Sequence, residues 1–406
     1  MVKTSALLFC IIPFLIYGQT ANFWTKKNDF SGLKRARAVA FTVGDFAYIA
    51  TGEDTADSVH NDLWQYNVST DTWSQKASLP GSKRRNAIAF IIGQKAYVGT
   101  GVDSSSASGA TILNDFWEYT PALNQWVQKA DFPGSGGNGL YFATGFAIGS
   151  KGYLCCGKVG PNNYSKQLWE YKPANDEWIE RANFPGGVRY QLSSFTIGSH
   201  AYVGLGEDQD TYRKDFWQYN PATNQWMAIP DLPGGERGGA STFTLGSWGH
   251  VCLGANGGFL EDHWAYNPEI NDWIIRAPYG GSERKNAVSF VVNNTAFVGT
   301  GSGYSGKKAS IHQYTPSNYL DIPTITNLAF SIYPNPAKDF FTLQSDNPAI
   351  DHFDIICTSG KKILEIKHQN MLIQTVQNNT LQTGIYTVIA KDVHNNTLEK
   401  KRLIYQ

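Results

Sequence analysis

Two series of tryptophans constrain this chain more than anything else in it. Trp24, Trp73, Trp126, Trp178, Trp226 and Trp273 recur at intervals of 49, 53, 52, 48 and 47 residues. Trp64, Trp117, Trp169, Trp217 and Trp264 each lead the next member of the first series by nine. A period near fifty residues means copies of one supersecondary unit, and four short strands per unit point to propeller blades.

Each unit reads as four strands. The first is small and apolar (AVAFTVG from Ala38, NAIAFIIG from Asn86), and the second is rich in β-branched residues and ends on glycine at Gly52 or Gly101. The third alternates, with Trp64 and Tyr66 on one face and Leu63 and Gln65 on the other. A turn such as Asn220-Pro221-Ala222-Thr223-Asn224 then reverses the chain into a fourth strand headed by a tryptophan. One such sheet cannot cover both of its faces, whereas neighbours in a ring cover each other.

These residues resemble the kelch repeat: a Tyr-rich strand ending in glycine, a Trp-x-Tyr strand, then a lone Trp. The resemblance runs from 22 to 316 and implies an all-β fold, a six-bladed kelch β-propeller. The family's paired glycines are spaced here, as in Gly99-Thr100-Gly101, or reduced to the last one, as in Cys155-Cys156-Gly157. The last unit ends at His312-Gln313-Tyr314 with no closing Trp, while Phe23 to Lys27 is a fourth strand without its first three. The N-terminal strand is therefore expected to complete the sixth blade and leave no open edge.

Equal numbers of basic and acidic residues, 34 of each, give no electrostatic case for nucleic acid. Residues 1–20 carry one Lys and an apolar run from Ala6 to Tyr17, too short to span a bilayer, and read as a cleaved signal peptide. The mature chain is then expected to have no transmembrane segment. Cys155 and Cys252 occupy the repeat position of Gly99 and Gly204 and read as small packing residues; no zinc spacing is present.

The periodicity stops after Tyr314. Residues 317–329 read as a linker, and 330–406 as a small β domain, an Ig-like β-sandwich. Its landmarks Tyr333-Pro334-Asn335-Pro336, Ser359-Gly360-Lys361-Lys362, Leu381-Gln382-Thr383-Gly384-Ile385-Tyr386 and Lys400-Lys401-Arg402 resemble the C-terminal sorting domain of the type IX secretion system. That resemblance implies a Gram-negative source of the Bacteroidetes type, the secretion machinery as a partner, and release to the medium or the outer-membrane surface.

Six residues before the Phe of each first strand stand Arg35, Arg84, Leu140, Arg189, Arg237 and Arg284. In kelch propellers this position lies near the mouth of the central channel. The arginines then either bond carbonyls of the neighbouring blade, or form with Arg85, Tyr141, Tyr190 and Lys285, one position on, a site for an anionic or hydroxyl-rich ligand. Glu53 and Glu207, directly after the repeat glycine, and Glu236 join the candidates. Asp62, Asp115, Asp215 and Asp262, two before a Trp, read as strand-start residues bonding backbone N–H groups. No ordered calcium loop and no copper set of the galactose oxidase kind can be assembled, so no metal or cofactor is expected.

The expected function is an exported, monomeric binding module for a glycan or a protein. The alternative is a carbohydrate-active enzyme similar to the sialic acid mutarotases, which also have six kelch blades, with Glu236-Arg237 as the nearest acid and arginine.

Overall fold

The computed structural model describes residues 23–316, apart from 105–108, 135–138 and 210, and residues 330–405, apart from 334, 336, 346–349, 358–360, 368–372, 378–380 and 394–396. The expected signal peptide and linker lie outside the described residues, as do parts of the first two sorting-domain landmarks. All regular elements among the described residues are strands. The chain divides into two units after Ser317.

The first unit contains six four-stranded antiparallel sheets. In the first, Val39–Val43, Phe46–Ala50, Leu63–Asn67 and Thr72–Lys76 pair in chain order. In the sixth, Val288–Val292, Thr295–Gly299 and Ile311–Thr315 are joined by Phe23–Lys26, in the register Trp24 to Tyr314. The fold is thus a six-bladed β-propeller whose last blade is sealed by its first strand.

What stacks the blades is a repeated aromatic pair. The Phe of the first strand lies flat on a ring of the second: Phe41 on Tyr48 at 5.1 Å, Phe146 on Tyr153 at 5.3 Å, Phe195 on Tyr202 at 5.1 Å and Phe290 on Phe297 at 5.2 Å. The next blade presents a small residue to receive it. A Cβ on Gly152 would come within 2.0 Å of the Phe90 ring, so the neighbour can approach only where the side chain is minimal. Each such pair adds about 0.5–1.5 kcal/mol beyond the area it buries.

The tryptophans of the first series latch one blade to the one before it. The indole N–H donates to Ala77 from Trp126 (2.8 Å), to Ala130 from Trp178, to Ala182 from Trp226 and to Pro230 from Trp273. The residue two positions before Trp126, Asn124, sits in the left-handed region, and its side chain accepts the Tyr119 hydroxyl and the Ala77 N–H. Asn and Asp tolerate that backbone, which is why the turn ends on one of them in every repeat with an outer hairpin.

Trp24 makes the same latch across the seam. Its N–H donates to Ala277, and its ring packs at 5.0 Å from Tyr279 and 4.9 Å from Tyr314. Trp24→Ala is expected to cost about 3 kcal/mol, the low end for truncating a packed aromatic. Urea denaturation of the variant would measure it; an unchanged midpoint would mean that the seam does not depend on this ring.

In the second unit, a three-stranded sheet (Ser331–Tyr333, Phe340–Gln344, Ile373–Gln377) and a four-stranded sheet (Lys362–Lys367, His352–Cys357, Gly384–Lys391, Thr397–Tyr405) share one core. Phe330, Phe341, Phe353, Ile355, Val388 and Leu403 are buried in it. Asn335 accepts the Ile404 N–H at 2.9 Å, and the Tyr386 hydroxyl donates to the Gln382 carbonyl at 2.8 Å. Two of the landmark segments therefore fasten strand ends within the unit.

Candidate ligand site at the channel mouth

The arginine series is not at the surface of the mouth. Arg35, Arg84, Arg189, Arg237 and Arg284 are all buried. In four of the five, the guanidinium forks onto the Asp two residues before the blade's own Trp: Arg84 meets Asp115 at 2.7 and 2.6 Å, and Arg35 meets Asp62 at 2.6 and 2.9 Å. Arg189 with Asp215 and Arg237 with Asp262 repeat the fork. The same carboxylates accept the indole N–H of Trp64, Trp117, Trp217 and Trp264. The aspartates are thus above all partners of side chains, where their position suggested backbone N–H groups. Burial pushes the Asp62 and Asp115 carboxyls up, but the arginine outweighs it and holds both below the usual range.

Each arginine also donates to a carbonyl of its own blade, not of the neighbour. The acceptors are Thr51, Thr100, Leu205, Leu253 and Thr300, at 2.9–3.1 Å. Those five residues, with Cys156 in the third blade, all have φ between 57° and 66°. The guanidinium therefore holds a left-handed residue in place where no glycine relieves the strain. In the third blade Leu140 and Gln167 replace the arginine and the aspartate together. In the sixth, Arg284 finds Ser310 at 3.1 Å instead of an acid.

This clamp shapes the mouth from beneath. After each left-handed residue comes the repeat glycine, whose N–H donates to the next blade: Gly52 to Arg84, Gly101 to Leu140, Gly157 to Arg189, Gly206 to Arg237, Gly254 to Arg284 and Gly301 to Arg35. A second closed circle runs inside it. The N–H of Asn86 donates to Arg37, and then Phe142 to Asn86, Gln191 to Phe142, Gly239 to Gln191, Asn286 to Gly239 and Arg37 to Asn286. All six of these residues have positive φ, and they line the throat of the channel. The Arg37 guanidinium lies 5.6 Å from the Phe142 ring, two blades away, so the throat is narrow.

Around this throat the structure brings together Glu53, Arg85, Tyr141, Tyr190 and Glu207 from the expected set, with Lys285. They are neighbours in register: Arg85 bridges Val102, Tyr141 bridges Lys158, Tyr190 bridges Glu207, and Lys285 bridges Ser302. Glu53 is buried against three cations, Arg37 at 3.2 Å, Arg85 at 3.1 Å and Lys307 at 2.5 Å. A cavity of about 490 Å³ opens beside it, lined by Arg37, Glu53, Asp57, Lys285, Ser302 and Lys307 among others. Glu207 accepts Gln191 Nε2 at 2.9 Å and faces the hydroxyls of Tyr190 and Tyr212. Burial and the Glu207 carboxylate push the Tyr190 hydroxyl up, so it stays a donor.

Two ammonium groups complete the set. Lys158 points its Nζ over the rings of Tyr190, Tyr164 and Tyr141 at 4.5, 5.1 and 5.9 Å. Burial pushes its pKa down, as it does for Lys285, and the charge of Glu207 only partly offsets this in each. Among the described residues neither lysine forms an ion pair within 4 Å. Arg37, Lys158, Lys307, Tyr164, Tyr212 and Gln191 were not expected here from sequence. Lys158 could have been found, since it follows Gly157 as Glu53 follows Gly52. Glu236 is exposed, and its neighbour Arg237 is committed to Asp262, so that dipeptide is not the acid and arginine of this site.

The comparisons with known proteins fit both units. Residues 331–406 match the secretion system C-terminal sorting domain. The tail is a type IX sorting domain. A domain of this kind marks a chain for export to the medium or the cell surface. Among solved structures, the propeller YjhT aligns with a TM-score of 0.60 at 16% identity, covering 70% of this chain and 95% of that one. At that identity the likeness concerns the fold alone. No curated protein matches the chain at a significant level.

Within the sorting domain, His352, Asp354 and Glu365 bring ligand atoms within 4.8 Å of one another. Lys362 bonds both acids, at 3.0 Å to Asp354 and 2.7 Å to Glu365, and Lys391 adds a second contact to Asp354 at 3.2 Å. The ammonium groups already neutralise these carboxylates, an arrangement that suits an ion network better than a cation site.

Proposed function

We propose that the exported propeller is a binding module for an acidic, hydroxyl-rich ligand, a carboxylated glycan, held at the channel mouth, and that its repeats are of the kelch type. One observation carries the reading: the half-buried ammonium groups of Lys158 and Lys285 share one mouth with no carboxylate of the described residues within ion-pair distance. A ligand carboxylate would supply the missing partner and gain charge-assisted hydrogen bonds in a partly desolvated cup. Tyr141, Tyr190, Gln191 and Asn286 offer the neutral donors and acceptors that sugar hydroxyls require. The sorting domain puts such a module at the cell surface or in the medium.

Calorimetric titration tests this with sialic acid and galacturonic acid against galactose. The acidic sugars should bind and galactose should not. Lys158→Met and Lys285→Met should each weaken binding at least about tenfold, the scale of one lost charged hydrogen bond. Equal binding of neutral sugar, or lysine variants that bind like wild type, would refute the reading. Anomer exchange of sialic acid, followed in the same samples, examines the enzymatic alternative: a rate above that of buffer would move the assignment to catalysis.

A further inference from the structure

Cys155 and Cys156 lie midway along the second strand of the third blade, Lys151–Gly160. Their sulfurs are 3.5 Å apart and both residues are fully buried. Cys156 lies at a register shift between Cys155 and Gly157, where it alone faces Lys166 and Gln167 of the third strand, with φ 62°. In the five other blades the residue at this position is held through its carbonyl by the buried arginine. In the third blade Leu140 offers no donor, and Gln167 stands where the carboxylate would be.

The loss of the clamp and the cysteine pair coincide in one blade. The fifth blade is the internal comparison. There Cys252 occupies the position of Cys155, the following residue is Leu253, and the Arg237–Asp262 fork is intact. A single cysteine thus accompanies the clamp, and the pair accompanies its absence.

We propose that Cys155 and Cys156 are joined by a disulfide between adjacent residues in the exported protein, and that this bond holds the left-handed residue of the third blade in place of the arginine clamp. The eight-membered ring that results restricts the backbone of Cys156 directly. Export takes the chain out of the compartment that keeps thiols reduced. The oxidant is a disulfide of the exchange type. One cysteine thiolate attacks it and releases one thiol; the second cysteine attacks the mixed disulfide and releases the other. Two S–H bonds are lost and one S–S bond forms, while the oxidant's S–S bond becomes two thiols. Burial pushes the Cys155 thiol up, so the exchange takes place before the strands pack. Adjacent Cα atoms, about 3.8 Å apart, are closer than in an ordinary disulfide, so the bond is readily reduced and survives only handling without reductant.

The test uses the full chain recovered after export with no reductant present. It is denatured, treated with iodoacetamide, digested and examined by mass spectrometry. The peptide containing residues 155 and 156 should carry no label and be lighter by two hydrogen atoms, and should take two labels after reduction, while Cys252 and Cys357 are labelled from the start. Labelling of both Cys155 and Cys156 without reduction would overturn the proposal, as would linkage of either to Cys252 or Cys357. The melting temperature of the native protein should fall by a few degrees on reduction. Cys155→Gly combined with Cys156→Thr, which copies Gly99-Thr100 of the second blade, should melt at one temperature with or without reductant. A wild-type melting temperature indifferent to reduction would overturn the clamping role.

Discussion

Arg84→Gln should destabilise the propeller by about 3–5 kcal/mol, the cost of leaving one member of a buried ion pair without its partner. The variant strands Asp115, removes one donor from the carbonyl of Thr100 and leaves that residue's φ of 60° unsupported. Removing both charges should be far milder. Arg84→Leu with Asp115→Gln reproduces the third blade, where Leu140 is buried and Gln167 accepts the Trp169 N–H at 3.5 Å. The double variant is expected to recover at least half of the loss, because an apolar replacement of a buried pair is often near neutral. Chemical denaturation of the four proteins of this cycle gives the coupling directly. A single variant as stable as wild type would mean that the fork is not what holds the loop.

Acid should weaken the fold well before the carboxylates titrate. His250 and His263 are buried in the fifth blade with Nδ1 of the first 2.9 Å from Nε2 of the second. The Ala277 carbonyl, 3.3 Å from His263 Nδ1, can only accept, so His263 carries its proton there and turns a bare Nε2 to the His250 N–H. A further proton on His263 Nε2 would meet the His250 N–H. Burial pushes His263 down to about 3, with Arg276 adding to the effect and the Ala277 carbonyl and Asp262 opposing it. Burial, His263 and Arg276 likewise push His250 well below its ordinary value.

Below the unfolded pKa of about 6.5 the unfolded chain binds protons that the native state refuses, so stability falls with pH in this range. The slope for each histidine approaches about 1.4 kcal/mol per pH unit only well below pH 6.5, which gives about 3 kcal/mol for the pair between pH 6.5 and 5. His250→Tyr with His263→Phe copies Tyr97 and Phe116 of the second blade, whose rings stack at 6.0 Å. It should flatten most of the slope and leave the share of His312, pushed down to about 4 by burial. Urea midpoints at pH 7, 6 and 5 measure it; parallel curves for the two proteins would show that the pair does not set the acid limit.

The blade count and the seam were legible because both follow from residues that repeat. Trp24 without its three strands, and Tyr314 without its Trp, leave one solution to the pairing problem. The arginine series was equally visible, but its role was not. Four of the five guanidiniums meet an aspartate 25 to 31 positions further on, across two strands. Only the simultaneous loss of both at Leu140 and Gln167 could have tied the two series together. The mouth was half legible for the opposite reason. Arg85, Tyr141 and Tyr190 hold one repeat position and can be found by alignment of the units. Lys307 and Tyr164 lie on hairpins that differ in length from blade to blade, and only the closed ring sets them beside Glu53 and Tyr190.

The seam also dictates an order of events. Trp24 and Tyr314, paired in the sixth blade, stand 290 positions apart in the chain. Were they to meet first, closing that loop would cost about 5 kcal/mol of chain entropy before any other contact repaid it. Once five blades have stacked, their curvature has already carried the two ends together and most of that cost is gone. The first strand to be synthesised is therefore the last to dock. Until it does, Ile311–Thr315 offers an unpaired edge to any other chain. The time between the stacking of the fifth blade and the arrival of Phe23–Lys26 is the interval in which that edge stays open to other chains.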